Sequence, residues 1–179
     1  MTRLSENSVI DIKNRSFSVT AVIEAPRQGT AQGVLIAQGG RFGGWALYVK
    51  DGYATFVYNV LGMKEFVAEA SEAVPDGSCQ VRAEFAYDGG GLAKGGDITL
   101  YYNGRAVGTG RIEQTQPLIF SADDTTDIGD DFGMPVGADY GSASKFNGRI
   151  DVVQIDVGDD DHSHLIDPEE VARIATARQ

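Results

Sequence analysis

The fold is decided by the stretch Gly43-Gly-Trp-Ala-Leu-Tyr-Val-Lys-Asp-Gly-Tyr-Ala-Thr-Phe-Val-Tyr58. Two runs rich in aromatic and β-branched residues meet there at Asp51-Gly52. A type I′ turn needs positive φ at both central residues, and Asp-Gly between alternating apolar runs is the strongest short signal for such a turn. The stretch therefore predicts a β-hairpin.

Neither side of this predicted hairpin is wholly polar. Trp45 and Leu47 alternate with Ala46 and Tyr48, and both faces of the second run carry apolar residues as well. A sheet face of this kind must be buried, so a second sheet is expected to cover at least one side. The pattern indicates a β-sandwich.

The rest of the chain continues in short strand-like runs separated by glycine-rich turns. Asn103-Gly104 is a second hairpin signal, and a phase change at Val152-Val153 predicts a bulge. The other predicted strands are Ser8–Lys13, Phe17–Ala25, Gly33–Ala37, Lys64–Ala70, Gln80–Tyr87, Ile98–Tyr102, Arg105–Ile112, Pro117–Phe120 and Phe146–Val157.

The length of the chain and its helix-start residues divide it into two parts. The 179 residues suit one domain with a sizeable core, and we assign the sandwich to residues 1–158. Residues 159–179 read as an acidic linker and a short C-terminal helix, since Asp167 can cap the helix and Pro168 suits its first position.

Composition excludes several classes of partner. The formal charge of -11 opposes the basic surface that nucleic acid or an anionic membrane requires. Cys79 is the only cysteine, so no internal disulfide can form. The chain has neither an apolar run of membrane-spanning length nor the apolar segment of a signal peptide, which predicts a soluble protein and leaves its compartment open.

Several motifs together resemble the C-terminal region of large bacterial arylsulfatases. The most specific is Tyr87-Asp-Gly-Gly-Gly-Leu-Ala-Lys-Gly-Gly96, and the supporting stretches are Arg41–Gly52, Glu84–Tyr102, Asn103–Gly108 and Gln114–Ser121. The chain is also similar to the broader laminin-G and concanavalin A-like sandwiches. The resemblance implies an all-β, concanavalin A-like jelly roll of two antiparallel sheets with one short C-terminal helix, without catalytic residues of its own.

The residues themselves also argue against catalysis. Cys79-Gln-Val-Arg-Ala83 lacks the Pro or Ala and the Arg of a sulfatase nucleophile motif. No Gly-x-Ser-x-Gly elbow is present. Glu84 and Asp88 share one strand face and are the best carboxylate pair for glycoside hydrolysis, but Asp88 opens the glycine-rich loop, where a turn-capping role explains it.

One acidic loop is a candidate ion site. Asp127, Asp130 and Asp131 with nearby backbone carbonyls offer the oxygens that Ca²⁺ prefers, although the spacing is not that of an EF-hand and a solvated acidic loop explains it as well. His162 and His164 could bind a transition metal, or belong to a plain linker.

Two functions follow as hypotheses. The first is a non-catalytic module that packs against a sulfatase catalytic domain or forms a homo-oligomer through exposed apolar surface. The alternative is a calcium-assisted module that binds polysaccharide, with Asp127, Asp130 and Asp131 holding the ion and Trp45 or Tyr48 contacting the sugar. Aromatic residues at strand spacing are also typical of core pairs.

Overall fold

The computed structural model describes residues 3–27, 30–121, 124–141 and 144–158, together with Glu169. Within these ranges there are one 3-10 helix, Glu6–Ser8, and ten strands. The strands are β1 (Phe17–Ala25), β2 (Gly33–Gly40), β3 (Gly43–Lys50), β4 (Tyr53–Val60), β5 (Lys64–Ala73), β6 (Gly77–Tyr87), β7 (Gly96–Tyr102), β8 (Arg105–Ile112), β9 (Thr126–Ile128) and β10 (Arg149–Val157). Apart from Glu169, the predicted linker and C-terminal helix lie outside the described residues.

The strands form two five-stranded sheets. Sheet I has the order β10-β1-β6-β7-β8, and sheet II has the order β5-β4-β3-β2-β9. Neighbouring strands are antiparallel throughout both sheets. The prediction of an all-β jelly-roll sandwich is confirmed. In the described ranges, no helix has the length and apolar character needed to cross a membrane.

Both predicted hairpin turns are present with the expected backbone geometry. Asp51 and Gly52 have φ values of 52° and 86°, and Asn103 and Gly104 have φ values of 49° and 80°. Positive φ at two successive residues twists the flanking strands in the sense that a sheet requires. These turns fix the register of β3 with β4 and of β7 with β8.

The core lies between the two sheets and is organised around Trp45. Its side chain is fully buried, its ring lies 5.9 Å from that of Phe56 at 17°, and the Phe17 ring of sheet I is also 5.9 Å away. The indole Nε1–H donates to Gln38 Oε1 over 2.9 Å, so the one polar atom of the ring is satisfied inside the protein. The faces with Trp45 and Phe56 are therefore the inner faces of β3 and β4.

One side of the sandwich is closed by the edge strands β5 and β8. Gly108 lies so close to β5 that a Cβ atom there would be 2.5 Å from the Glu69 carbonyl oxygen. Ser71 Oγ donates to the Val107 carbonyl over 2.8 Å, and Arg105 binds the carboxylate of Glu72. Glycine at position 108 thus lets the backbones of β5 and β8 approach each other. This contact shields both edge strands from pairing with another chain.

Three predicted local features are wrong in detail. Ser8–Lys13 is not a strand, because Lys13 folds back to bind Glu6 and Asp11. Pro117–Phe120 is an irregular loop that is held by Asn14 Nδ2, which donates to the Pro117 carbonyl over 2.8 Å. The bulge of β10 lies at Asp151, one residue before the predicted place, since Val22 pairs with Val152 and Ile23 with Ile150.

Candidate functional site

The outer face of sheet II is covered by an irregular segment, residues 130–141, which we call the cover loop. Val136 and Tyr140 of this loop form a second apolar cluster with outward-facing strand residues. The Tyr140 ring lies 4.5 Å from that of Tyr48. The strand members of the cluster are Val34, Ala37, Ala46, Tyr48 and Val57. The loop is therefore packed on the sheet, and its edge can form one wall of a site.

A groove of about 420 Å³ runs along that edge. Its sheet side is formed by Arg41 in the β2–β3 turn, Asn59 near the end of β4, Gly62 in the β4–β5 turn and Glu65 in β5. Its other side is formed by cover-loop residues, which are Pro135, Val136, Gly137, Ala138, Tyr140 and Gly141. The volume lies in the range of ordinary small-ligand sites.

Asn59 holds the two sides of the groove together. Its Nδ2 donates to the carbonyl oxygens of Arg41 and Val136 over 3.1 and 2.9 Å, and its Oδ1 accepts from the Gly62 N–H over 2.9 Å. The side chain is 2% exposed, so its amide binds the backbone that frames the groove, at Arg41, Gly62 and Val136. Asn59 is a positioning residue that leaves ligand contacts to its neighbours.

The β4–β5 turn approaches the β2–β3 turn closely at Gly62. Gly62 has a φ of 67°, and a Cβ atom there would lie 2.8 Å from the Arg41 carbonyl oxygen. Only glycine combines this conformation with so little space. The backbone at Arg41 is therefore fixed by both Asn59 and Gly62, while the Arg41 side chain is exposed.

Glu65 connects β5 to the cover loop. Its carboxylate accepts a hydrogen bond from the Ala138 N–H, with Oε1 at 3.2 Å. The side chain is otherwise exposed at the mouth of the groove. The site thus presents one guanidinium and one carboxylate above apolar and backbone surface. Sequence reasoning did not select either residue, because Arg41, Glu65 and Ala138 are adjacent only through the fold.

Inside the cover loop, the Asp131 carboxylate accepts hydrogen bonds from two other loop residues. Its Oδ2 accepts from the Val136 N–H over 3.0 Å and from the Tyr140 hydroxyl over 2.8 Å. Burial raises the pKa of Asp131 to about 6, and the nearby carboxylates of Asp127 and Asp124 add to this rise. The two hydrogen bonds oppose the rise but do not cancel it.

This pKa predicts a pH-dependent stability. The unfolded chain releases the Asp131 proton near pH 4, whereas the folded protein keeps it until about pH 6. Protonated Asp131 therefore stabilises the folded protein fully below about pH 4, and this stabilisation is lost as the pH rises through about 6. We expect it to amount to about 2–3 kcal/mol of unfolding free energy.

Urea denaturation of wild type and Asp131→Asn at pH 4 and pH 7 measures this effect. The amide cannot ionise, so the difference in unfolding free energy between the two proteins isolates the Asp131 proton from all other carboxylates. Wild type should lose about 2–3 kcal/mol more than the variant between the two pH values. An equal change in both proteins would contradict the raised pKa.

The structure places the two predicted sugar-contacting residues inside the protein. Trp45 is in the core between the sheets, and Tyr48 is fully buried beneath Tyr140 of the cover loop. The Tyr48 hydroxyl donates to Asp139 Oδ1 over 2.8 Å, and burial raises its pKa. Neither ring presents a face on which a sugar could stack, so both act through packing.

The three predicted metal ligands accept hydrogen bonds from separate donors. Asp127 Oδ1 accepts from the Arg3 N–H over 2.5 Å, Asp130 Oδ1 accepts from Ser144 Oγ over 2.6 Å, and Asp131 binds Val136 and Tyr140. The part of the chain that the structure describes contains no group of three or more His, Cys, Asp or Glu side chains placed to hold a metal ion. A Ca²⁺ site at Asp127, Asp130 and Asp131 stays a prediction, and His162 and His164 lie outside the described residues.

The other chemical candidates are engaged elsewhere. Glu84 binds Arg82, and Asp88 binds Arg111 at the start of the glycine-rich loop. Cys79 is buried in the core, where burial raises the pKa of its thiol to about 11 and disfavours the reactive thiolate. The groove beside the cover loop is therefore the candidate site.

Comparison with known proteins agrees with this architecture. Among solved structures, the chain is similar to the mouse laminin alpha1 chain, domains LG4-5, with 13% identity and a TM-score of 0.57, over 86% of this chain and 38% of that one. It is also similar to the Ruminococcus gnavus IT-sialidase CBM40 bound to alpha2,3 sialyllactose, with 18% identity and a TM-score of 0.58. This match covers 85% of this chain and 82% of the CBM40 chain. The chain thus spans well under half of the laminin chain. None of the curated proteins matches it.

The family follows from a match over most of the chain. Residues 3–156 match a laminin G-type family model that describes the concanavalin A-like lectin/glucanases superfamily. This range begins at the first described residue and ends within β10, so it includes both sheets and the cover loop. The chain therefore belongs to the concanavalin A-like lectin/glucanases superfamily.

Proposed function

We propose that the protein is a non-catalytic recognition module that binds carbohydrate in the groove beside the cover loop. The observation that carries the proposal is the groove itself, which combines a suitable volume with an exposed guanidinium, an exposed carboxylate and an apolar wall. Sites for small polar ligands commonly have this composition, with a few polar groups fixing the orientation of the ligand.

A relative of the same fold supports the class of ligand. The Ruminococcus gnavus CBM40 is bound to alpha2,3 sialyllactose and is matched over 82% of its length. At 18% identity this likeness shows the fold alone, so the proposal depends on the residues of this groove. Those residues can exchange hydrogen bonds with sugar hydroxyl groups, which act as both donors and acceptors.

The groove offers no pair of acids for hydrolysis. Glycoside hydrolysis generally uses two carboxyl groups separated by roughly 5 to 9.5 Å across the bond that is cleaved. Glu65 is the single acidic residue among the side chains that line the groove. We therefore propose binding without turnover.

Isothermal titration with oligosaccharides tests this function. We expect saturable binding with no release of reducing sugar on long incubation. Parallel titrations with added Ca²⁺ and with EGTA test the calcium-assisted form of the proposal, in which Asp127, Asp130 and Asp131 would hold the ion. Loss of binding in EGTA would support that form, whereas equal binding would limit the function to the groove. Turnover by the purified chain would contradict the proposal.

A second candidate function rests on exposed apolar residues at one end of the sandwich, which we call the apolar end. They belong to the β2–β3 turn, the β4–β5 turn and the loop after β8. The residues, with their exposed fractions, are Phe42 (60%), Leu61 (52%), Met63 (79%), Leu118 (77%) and Ile119 (52%). Contiguous exposed apolar surface is typical of contact sites between proteins or domains.

This apolar end is suited to the packing role that the sequence suggests. We propose that it contacts an arylsulfatase catalytic domain or a second copy of this chain, as the resemblance implies. Light scattering of wild type and Met63→Glu with Leu118→Glu tests the second possibility, since two charges on the patch should convert a concentration-dependent dimer into a monomer. A monomer at all concentrations would limit the proposal to a partner domain.

A further inference from the structure

We infer that Arg41 and Glu65 act as a charge-balanced pair that selects a neutral, hydroxyl-rich sugar and discriminates against acidic ones. This inference rests on the proposed function and assigns its ligand class and its contact residues.

Arg41 is an exposed cation with a fixed backbone. Asn59 binds its carbonyl oxygen, and Gly62 packs against the same peptide. Lys64, near the same turns, pairs with Glu113, but the Arg41 guanidinium forms no ion pair with a carboxylate of the described residues. Among the described residues, nothing competes with a ligand for its five N–H donors.

Glu65 supplies the complementary acceptor. Its carboxylate is exposed and can accept about four hydrogen bonds. The single N–H of Ala138 is one donor to it, so acceptor capacity remains. Glu65 and Arg41 line the same groove, so the remaining acceptor capacity of the carboxylate is available to a ligand there. A guanidinium that only donates and a carboxylate that only accepts therefore bound the same small space.

The chemistry of this pair favours hydroxyl groups over charges. A sugar hydroxyl can accept from Arg41 while a second hydroxyl donates to Glu65, and hydrogen bonds to charged groups are about twice as strong as neutral ones. An acidic sugar would gain at Arg41 but would be repelled by Glu65 and by the overall charge of -11. A basic ligand would be repelled by Arg41.

The wall opposite the charged pair suits the rest of a sugar ring. Pro135 and Ala138 line it and offer apolar surface for ring C–H groups, whereas Val136 is buried beneath them. Asn59 donates both N–H groups of its side-chain amide within the frame, and the Tyr140 hydroxyl donates to Asp131. Direction-specific contacts are therefore left to Arg41, Glu65 and the loop backbone.

Gly141 allows a test that leaves the fold intact. It lines the groove, and apart from its chain neighbours a Cβ atom added there would meet no atom of the described residues within 4 Å. Gly141→Trp should therefore obstruct the groove without overpacking the protein. Gly141→Ala is the matched control, since one methyl group leaves most of the groove open.

The experiment titrates the full chain with three sets of six-unit oligosaccharides. The probes are neutral gluco-, galacto- and manno-oligosaccharides, hexuronic acid oligomers and a sulfated galactan fragment. The variants are Arg41→Gln, Glu65→Gln and Gly141→Trp. The controls are Gly141→Ala, Glu69→Gln on the same outer face of β5, and Arg27→Gln in the loop after β1. Thermal unfolding of each variant reports on its fold.

We expect at least one of the neutral oligosaccharides to bind at least tenfold more tightly than either acidic set. Arg41→Gln and Gly141→Trp should weaken binding of the neutral probe by at least tenfold. Glu65→Gln keeps an acceptor for the Ala138 N–H but removes the charge. It should therefore lower the affinity for the neutral probe and reduce the difference in affinity between the neutral and acidic probes. The controls should stay within twofold of wild type.

Two other outcomes have different meanings. Preference for an acidic set, or affinities of Arg41→Gln and Glu65→Gln within twofold of wild type, would overturn the inference while carbohydrate binding itself still stands. Absence of binding by every probe at millimolar concentration would overturn the proposed function, and the inference with it.

Discussion

Replacing Trp45 with alanine is expected to lower the free energy of unfolding by about 3–5 kcal/mol. The indole is fully buried, stacks on Phe56 and contacts Phe17 of the opposite sheet. The substitution would leave a cavity at the centre of the sandwich and leave Gln38 Oε1 without its donor. Because domains of this size are stable by only about 5–15 kcal/mol, the variant should be close to unfolding.

Urea denaturation followed by far-ultraviolet circular dichroism measures this loss, since the substitution removes the only tryptophan. Trp45→Phe is the matched control. It keeps an aromatic ring against Phe56 and should retain more stability than Trp45→Ala, with carbohydrate affinity within twofold of wild type. A loss below about 1 kcal/mol for Trp45→Ala, or selective loss of binding in a fully stable Trp45→Phe protein, would contradict the assignment of Trp45 to the core.

Replacing Gly108 with valine is expected to destabilise the protein by about 1–3 kcal/mol. A Cβ atom at this position would lie 2.5 Å from the Glu69 carbonyl oxygen and 3.0 Å from Ala70 Cα. Both atoms belong to the backbone of β5, so the clash cannot be relieved by turning a side chain. The edge strands would have to separate, and the contacts between β5 and β8 would weaken.

Thermal unfolding compares this variant with Gly141→Val, in which the new side chain meets open space. One kcal/mol corresponds to about 2–4 °C for a chain of this length. The midpoint of Gly108→Val should therefore fall by at least about 2 °C, whereas that of Gly141→Val should change by less. Equal midpoints would show that β5 and β8 are not packed as described.

The scaffold was largely predictable because its signals are local. Asp51-Gly52 and Asn103-Gly104 specify two turns through the backbone freedom of two adjacent residues, and strict alternation identifies the buried faces. The irregular segments were harder. The run Ser8–Lys13 looks like a short strand in the sequence, yet the ion pairs of Lys13 with Glu6 and Asp11 hold it in a different shape. Propensity yields to such tertiary contacts.

The candidate site was not predictable in the same way. The groove exists because the cover loop packs on sheet II through Tyr140 and because Asn59 binds Val136 across the gap. No local pattern marks Arg41 or Glu65, which are joined only by this arrangement. The aromatic residues that attract attention in the sequence, Trp45 and Tyr48, are instead the ones that the fold buries.

The acidic loop illustrates the same limit. Asp127, Asp130 and Asp131 look like a ligand set because they are close in sequence, but alternation and loop geometry direct them to different donors. Asp131 in particular binds Val136 and Tyr140, two cover-loop residues that line the groove. Sequence proximity alone does not reveal whether carboxylates converge on one point.

We expect the groove beside the cover loop to bind a neutral carbohydrate. Titration of ¹⁵N-labelled protein with the neutral oligosaccharide that binds best in calorimetry, followed by amide chemical shifts, tests it most directly. We expect the largest shifts at Arg41, Gly62, Glu65, Ala138 and Gly141. Shifts centred on the apolar end around Met63 and Leu118, or on sheet I, would contradict the claim.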